Sequence, residues 1–348
     1  MLRNFRFSFL VTAICLAVAG WWGHRSGMGI WPALWICFVL GVLEVSLSFD
    51  NAVVNAAVLK GMSEFWRQMF LTIGILVAVF GMRLVFPILI VSVATGMGFG
   101  PVMDMALTRP DEYSKVLTDH YPSIAAFGGM FLLLVFLNFL FDAERDLHWL
   151  RPIERLAAKL GKADAMSVIV AVACLMLTRL YLPADIFQDV LFAGVGGILL
   201  YLMVDSIDAF FESDESDGAV GPAKRSGIAA FIYLEVLDAS FSFDGVIGAF
   251  AITRDVVIIM LGLAIGAMFV RSMTVFLVKK GTLDEFVFLE HGAHYAIGVL
   301  AIIMLVGTVY HVPEVVTGLI GVAFIAAAVW SSVRHRRRQP ELAVSSAE

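Results

Sequence analysis

The 348-residue chain is 60% hydrophobic and only 16% charged, with a mean hydropathy of +0.89 and a formal net charge of −6. A soluble domain is nearer half apolar and a quarter charged, so an ordinary globular protein is excluded. Apolar runs long enough to cross a bilayer core recur along the chain and predict an all-α polytopic membrane protein.

In chain order, about ten spans are expected, near 6–22, 31–59, 65–94, 123–141, 165–181, 185–211, 227–251, 255–278, 293–310 and 313–333. Residues 1–30 form an N-terminal helix. Its Arg3, Arg6 and small residues 16–20 also resemble a secretory leader. Segment 142–226 holds a basic surface helix around 151–162, two spans and the polar linker 211–227; residues 334–348 form a basic tail. Of the Lys and Arg outside the spans, five fall in one set of loops, namely Arg25, Arg109, Lys115, Arg179 and Arg254, and about seventeen in the other. The positive-inside rule therefore puts both termini in the cytoplasm.

Cys15, Cys37 and Cys174 lie in apolar segments with no metal-type spacing, and read as small hydrophobes. No phosphate-binding glycine loop is present. Nucleic-acid binding has no support beyond the tail, which serves topology.

The second span carries EVSLSFDN from Glu44 to Asn51, and the seventh carries DASFSFDG from Asp238 to Gly245. The shared pattern is acid-x-Ser-aromatic or Leu-Ser-Phe-Asp. Downstream, Gly74 precedes Arg83 by the same spacing as Gly262 precedes Arg271, and an apolar span follows in each half from Gly128 and His291. Residues 31–141 and 227–333 thus read as a duplicated three-helix unit. Spans two and seven cross in opposite senses, provided that the short span 165–181 crosses, so the repeat is inverted. Such repeats place a substrate site near the midplane.

Charged side chains inside a membrane are costly, on the order of 2.5 kcal/mol or more each, and usually mark a pathway. Glu44, Ser48, Asn51 and Asn55 share one helical face. Asp238 and Ser242 begin a matching stripe, with Glu235 one turn earlier. Asp50 and Asp244 point roughly 120° away. Either the helices break beside SFDN and SFDG, or the second acids face other helices with Arg83 or Arg271 as partners. The candidate metal ligands are Glu44, Asp50, Asn51, Asp238 and Asp244. Ser48, Asn55, Glu235, Ser242 and His294 are secondary candidates for metal or proton relay, and Arg83 and Arg271 are charge partners. The competing structural readings are small serines that allow close packing and an interfacial His291–His294 pair. An all-oxygen ligand set suits Mg, Ca or Mn.

The doubled motif and the run from Asp238 to Ser272, with the turn Ala251-Ile252-Thr253-Arg254-Asp255 and the helix from Gly262 to Arg271, resemble the TerC family of integral membrane proteins. Gly245 stands where a Ser or Asn is usual, and the spans between the halves are additional. The resemblance implies export of divalent metal, chiefly Mn2+, from the bacterial cytoplasm across the inner membrane, and an association with tellurium resistance. It implies no tightly bound cofactor; the partners are the metal and the lipid bilayer. The alternatives are a proton-coupled exporter of a small organic solute such as an amino acid, and a non-transport stress component. No nucleophile–base pair marks an enzyme.

Overall fold

The computed structural model describes residues 2–74, 76–145, 147–161, 163, 165–211, 227–310 and 312–345. Within them, the side chains of 2–4, 80, 84, 94, 207–211, 243, 244, 284, 314, 315 and 338–345 are not described. Most of the expected linker 211–227 and the side chain of Asp244 therefore lie outside the described residues.

The described chain is helical, as a lipid environment requires when every backbone group must be paired within its own segment. The helices are α1 (Leu2–Ser26), α2 (Ile30–Leu47), α3 (Phe49–Gly61), α4 (Glu64–Met69), α5 (Phe86–Thr95), α6 (Phe99–Thr108), α7 (Pro110–Asp119), α8 (Tyr121–Phe141), α9 (Arg151–Leu160), α10 (Met166–Leu177), α11 (Ala184–Phe211), α12 (Gly227–Ile252), α13 (Val256–Lys280), α14 (Thr282–Glu285), α15 (Leu289–Gly307) and α16 (Glu314–Ser345). Between α4 and α5 the chain winds as π-helix over Phe70–Gly74 and Val77–Val85.

Among the described residues, eight helices are long and apolar enough to cross a membrane: α1, α2, the run Glu64–Arg83, α8, α11, α13, α15 and α16. The protein is thus a multi-pass membrane protein. Two expected spans are not among the eight. Met166–Leu180 is short. α12 has 26 residues, but any crossing stretch of it includes Glu235, Asp238 and Asp244. The expected span 31–59 is two helices, because α2 stops at Ser48 and α3 resumes at Phe49. The expected loop 96–122 is largely helical, as α6 and α7, with Met105, Tyr113 and Leu117 buried.

α1 is packed like the rest. Ser8 Oγ donates to the Met268 carbonyl at 2.7 Å, and Trp22 Nε1 donates to the Asp255 carboxylate at 2.9 Å. Asp255 ends the Ala-Ile-Thr-Arg-Asp turn and caps α13, accepting from the backbone N–H of Val257 and Ile258. α13 ends at Gly281, whose φ of 62° is the left-handed conformation that closes a helix.

The interior is organised by reciprocal contacts. α2 and α3 pack on α13 and α3 also on α15; α12 packs on the π-helical segment and α8; α8 and α15 pack on each other. The α2–α13 contact runs through glycines. A Cβ on Gly266 would sit 2.3 Å from Glu44 Cβ, and one on Gly262 would sit 2.5 Å from Leu40 Cβ. Small residues four apart are how helices approach in lipid. Gly74 fills the corresponding role opposite α12, where a Cβ would lie 2.5 Å from Glu235 Oε1.

Candidate functional site: a polar cavity between the two motif helices

The first motif folds as a bend. Ser48 has φ −104° and ψ 19°, yet its N–H still donates to the Glu44 carbonyl at 3.0 Å and its carbonyl accepts from Ala52 at 3.1 Å. The helix is redirected rather than opened. Asp50 then lies in the first turn of α3 and accepts from the Asn51 N–H at 3.0 Å, where a carboxylate is favoured by the helix dipole. The second motif does not bend: α12 runs unbroken through Asp244 and Gly245. The expected break is therefore present at SFDN and absent at SFDG. A free N-terminal turn forms only where residue 48 leaves helical geometry.

Glu44 is 1% exposed. Its Oε1 accepts from Ser48 Oγ at 3.1 Å and from Arg83 Nη2, an ion pair buried on both sides. Arg83 belongs to the π-helical stretch, and its Nη1 donates to the Ala78 carbonyl. π-Turns widen a helix and recur at functional sites. Gly266 and Gly245 make room for Glu44; a Cβ at Gly245 would stand 2.9 Å from Oε2. The Gly at 245, where a Ser or Asn is usual in the TerC family, thus leaves clearance for the end of the Glu44 side chain.

Across the interface, Asn51 Nδ2 donates to Asp238 Oδ1 at 2.7 Å, joining the two motifs. Below them is a cavity of about 40 Å³. Ser48, Asn51 and Asn55 line it from the first motif and Asp238 from the second, with Gly74, Arg83, Arg271 and Thr274 completing the polar wall. Buried oxygens of three lining residues have no partner: Asn51 Oδ1, Asn55 Oδ1 and Asp238 Oδ2. Both Glu235 oxygens are also unpartnered, and Oε1 lies against Gly74. Arg83 Nε and Arg271 Nε are unpaired as well. A cavity of this size holds water or a small ion, and such unpaired polar groups are what call for one.

The structure sorts the expected residues. Glu44, Ser48, Asn51, Asn55, Asp238 and Arg83 gather at or beside this cavity, with Glu235 adjoining it. Asp50 does not join them: it lines a second cavity with Phe241, Gly245 and Thr317. Of the two alternatives for the second acids, Asp50 takes the different-helix one, and among the described residues no arginine partners it. Arg83 pairs with the first acid, Glu44, instead. Among the described residues Arg271 meets the Leu71 carbonyl instead of a carboxylate. Ser242 is buried on α12 but lines neither cavity. His294 stays apart, stacked 3.8 Å from Phe139 with Nδ1 held to the Glu290 carbonyl. It sits a full helix turn inside α15 on the α8 side, so an imidazole ligand is not supplied from there. Sequence reasoning missed Gly266, Thr274 and Thr317. The Gly262–Gly266 spacing was the available signal for the first.

Among the described residues, no group of three His, Cys, Asp or Glu side chains is close enough to hold a metal. The oxygen set lining the cavity is instead one carboxylate, Asp238, and the two amides of Asn51 and Asn55, with Glu235 adjoining and Arg83 and Arg271 alongside.

Fold and cavity together define a helical multi-pass membrane protein with a charged, partly unsatisfied site buried among its crossing helices. The chain belongs to the family described as "Protein of unknown function (DUF475)", which it matches over residues 49–339. It is also 32% identical over 121 residues to the "Uncharacterized membrane protein YceF" of Bacillus subtilis (strain 168). That match covers 32% of this chain and 46% of the relative, so the chain spans about half the length of the curated protein it matches. No solved structure matches it.

Proposed function

We propose that the protein is a secondary transporter that moves a divalent cation, with Mn2+ as the leading substrate, out of the bacterial cytoplasm through the cavity between α3 and α12. The observation that carries this reading is the set of buried, unpartnered oxygens on Asn51, Asn55 and Asp238 around one cavity. Hard oxygen donors at a membrane interior are what a dehydrated divalent cation of the Mg, Ca and Mn group needs. Glu235 adds a second carboxylate beside Gly74. Glu44 is neutralised by Arg83 and becomes a ligand only when that pair opens.

The proposed mechanism is alternating access by the two related halves, 31–141 and 227–333, whose inversion requires that Met166–Leu180 crosses. The exchange of partners between halves supports it. Gly41 of α2 lies against Gly262 of α13, and Glu235, its counterpart on α12, lies against Gly74, the counterpart of Gly262. The resemblance of both motifs to the TerC family supports the metal and its outward direction. On this reading the protein lies in the inner membrane with both termini cytoplasmic, and works without a bound cofactor, nucleic acid or chemical reaction.

One observation favours a second reading. Arg83 and Arg271 both line the cavity with an unpaired Nε, which suits a solute carboxylate, as in a proton-coupled amino-acid exporter.

Purified protein in liposomes separates the two. Saturable Mn2+ flux lost in Asp238→Asn and Asn51→Ala, and kept in Arg271→Gln, supports the cation. Amino-acid counterflow lost in Arg271→Gln, with no flux of Mn2+, Mg2+ or Ca2+, replaces it with the organic solute.

A further inference from the structure

Asp50 presents a charge problem that Glu44 does not. It is 5% exposed, and among the described residues no Lys, Arg or His pairs with it; it accepts from the Asn51 N–H. Leaving a carboxylate buried without a counter-charge is strongly unfavourable. Asp50 lines a cavity of about 20 Å³ where α3 meets α12, α15 and α16. The lining side chains Leu47, Phe241, Leu300 and Ile303 are apolar. Among the described residues the one further polar side chain in the lining is Thr317, whose buried Oγ1 has no partner. Among the described residues, no charged or titratable side chain from α15 or α16 lines this cavity; the side chains of Glu314 in α16 and of Asp244, beside Gly245 in α12, are not described.

We propose that the Asp50–Thr317 cavity is a second ion site, selective for one small monovalent cation such as Na+. Three observations converge on it. The unpaired carboxylate supplies one negative charge, which one positive charge balances. The unpartnered Thr317 hydroxyl supplies a neutral oxygen. The space admits a single water-sized particle. Against the described lining a divalent ion would leave one positive charge unbalanced. This site is separate from the cavity of Asn51 and Asp238, and no described residue lines both. The two are joined along α3, where Asp50 and Asn51 are successive residues that line different cavities and Asp50 accepts from the Asn51 N–H. Occupancy at Asp50 therefore acts on the turn that carries Asn51. Its role as the coupling ion rests on the transport reading above; its binding does not.

Titration calorimetry on the purified full chain, NaCl into choline chloride buffer with no divalent metal, tests the site. Saturable Na+ binding is expected, lost in Asp50→Asn and weakened about tenfold in Thr317→Val, while Thr317→Ser, which keeps the hydroxyl, binds as the parent does. Absence of Na+ binding in the parent overturns the proposal, as does unchanged binding in Asp50→Asn or Thr317→Val, or heat that follows buffer pH and ignores Na+. In liposomes, Mn2+ flux that rises with an opposing Na+ gradient is expected. Mn2+ flux indifferent to Na+ overturns the coupling role. Because calorimetry contains no Mn2+, failure of divalent transport is read separately.

Discussion

Asn51 and Asp238 are 187 residues apart in the chain and hydrogen-bonded at 2.7 Å, amide to carboxylate. This contact is a direct hydrogen bond between the two copies of the motif. Both residues also offer an unpartnered oxygen to the cavity, so the same side chains hold the helices together and present the site.

Asn51→Ala leaves Asp238 buried with neither oxygen bonded. Interhelical hydrogen bonds inside membranes average only about 0.6 kcal/mol. Here the acceptor is a carboxylate left unsatisfied, so a larger loss of about 1–3 kcal/mol is expected. Unfolding in mixed micelles should show the loss, and Asn51→Ala with Asp238→Ala should lose less than the sum of the singles. Strict additivity would mean that the contact carries no coupling.

The Glu44–Arg83 pair sets a larger expectation. Arg83→Ala strands a buried carboxylate, at a cost of roughly 3–5 kcal/mol. Glu44→Gln with Arg83→Met removes both charges and should recover most of that stability. The readout is the unfolding midpoint of the singles and the double; a double less stable than Arg83→Ala would contradict the pairing.

Glycine positions at the α2–α13 contact should rank by available space. A Cβ at Gly266 would lie 2.3 Å from Glu44 Cβ and 2.9 Å from the Gly41 carbonyl, whereas one at Gly41 would lie 3.1 Å from Ile265 Cγ2 and 3.4 Å from the Gly262 carbonyl. Gly266→Ala should therefore cost about 1–3 kcal/mol and Gly41→Ala clearly less. Thermal midpoints of the two variants check the order.

Topology is testable at two exposed lysines. With the native cysteines replaced, a cysteine at Lys159 of α9 should react with an impermeant maleimide only from the cytoplasmic side, and one at Lys115 of α7 only from outside. Labelling of both positions from one side would require a different number of crossings between α7 and α9.

Much of this was legible in the chain. Helical phase is local, and the stripe of Glu44, Ser48, Asn51 and Asn55 follows from about 100° per residue. Ser48, Asn51 and Asn55 do line one cavity, with Glu44 at its edge, despite the bend between them. Arg83 as partner of an intramembrane acid was also readable, since an unpaired charge there is too costly. Arg271 reads the same way in sequence, yet it reaches the Leu71 carbonyl, because what faces it depends on how the π-helical segment packs.

The sequence by itself determined that this is a helical membrane protein, which residues break its apolar spans, and that these form two related sets. Hydropathy and periodicity are properties of short windows and survive without knowledge of neighbours. Only the tertiary structure decided that Asp50 and Asn51, adjacent in the chain, serve different cavities, and that the first motif bends while the second stays straight. Those outcomes depend on which helices touch, and that is decided by glycine clearances between segments some two hundred residues apart, as at Glu44 and Gly266, which no local pattern encodes.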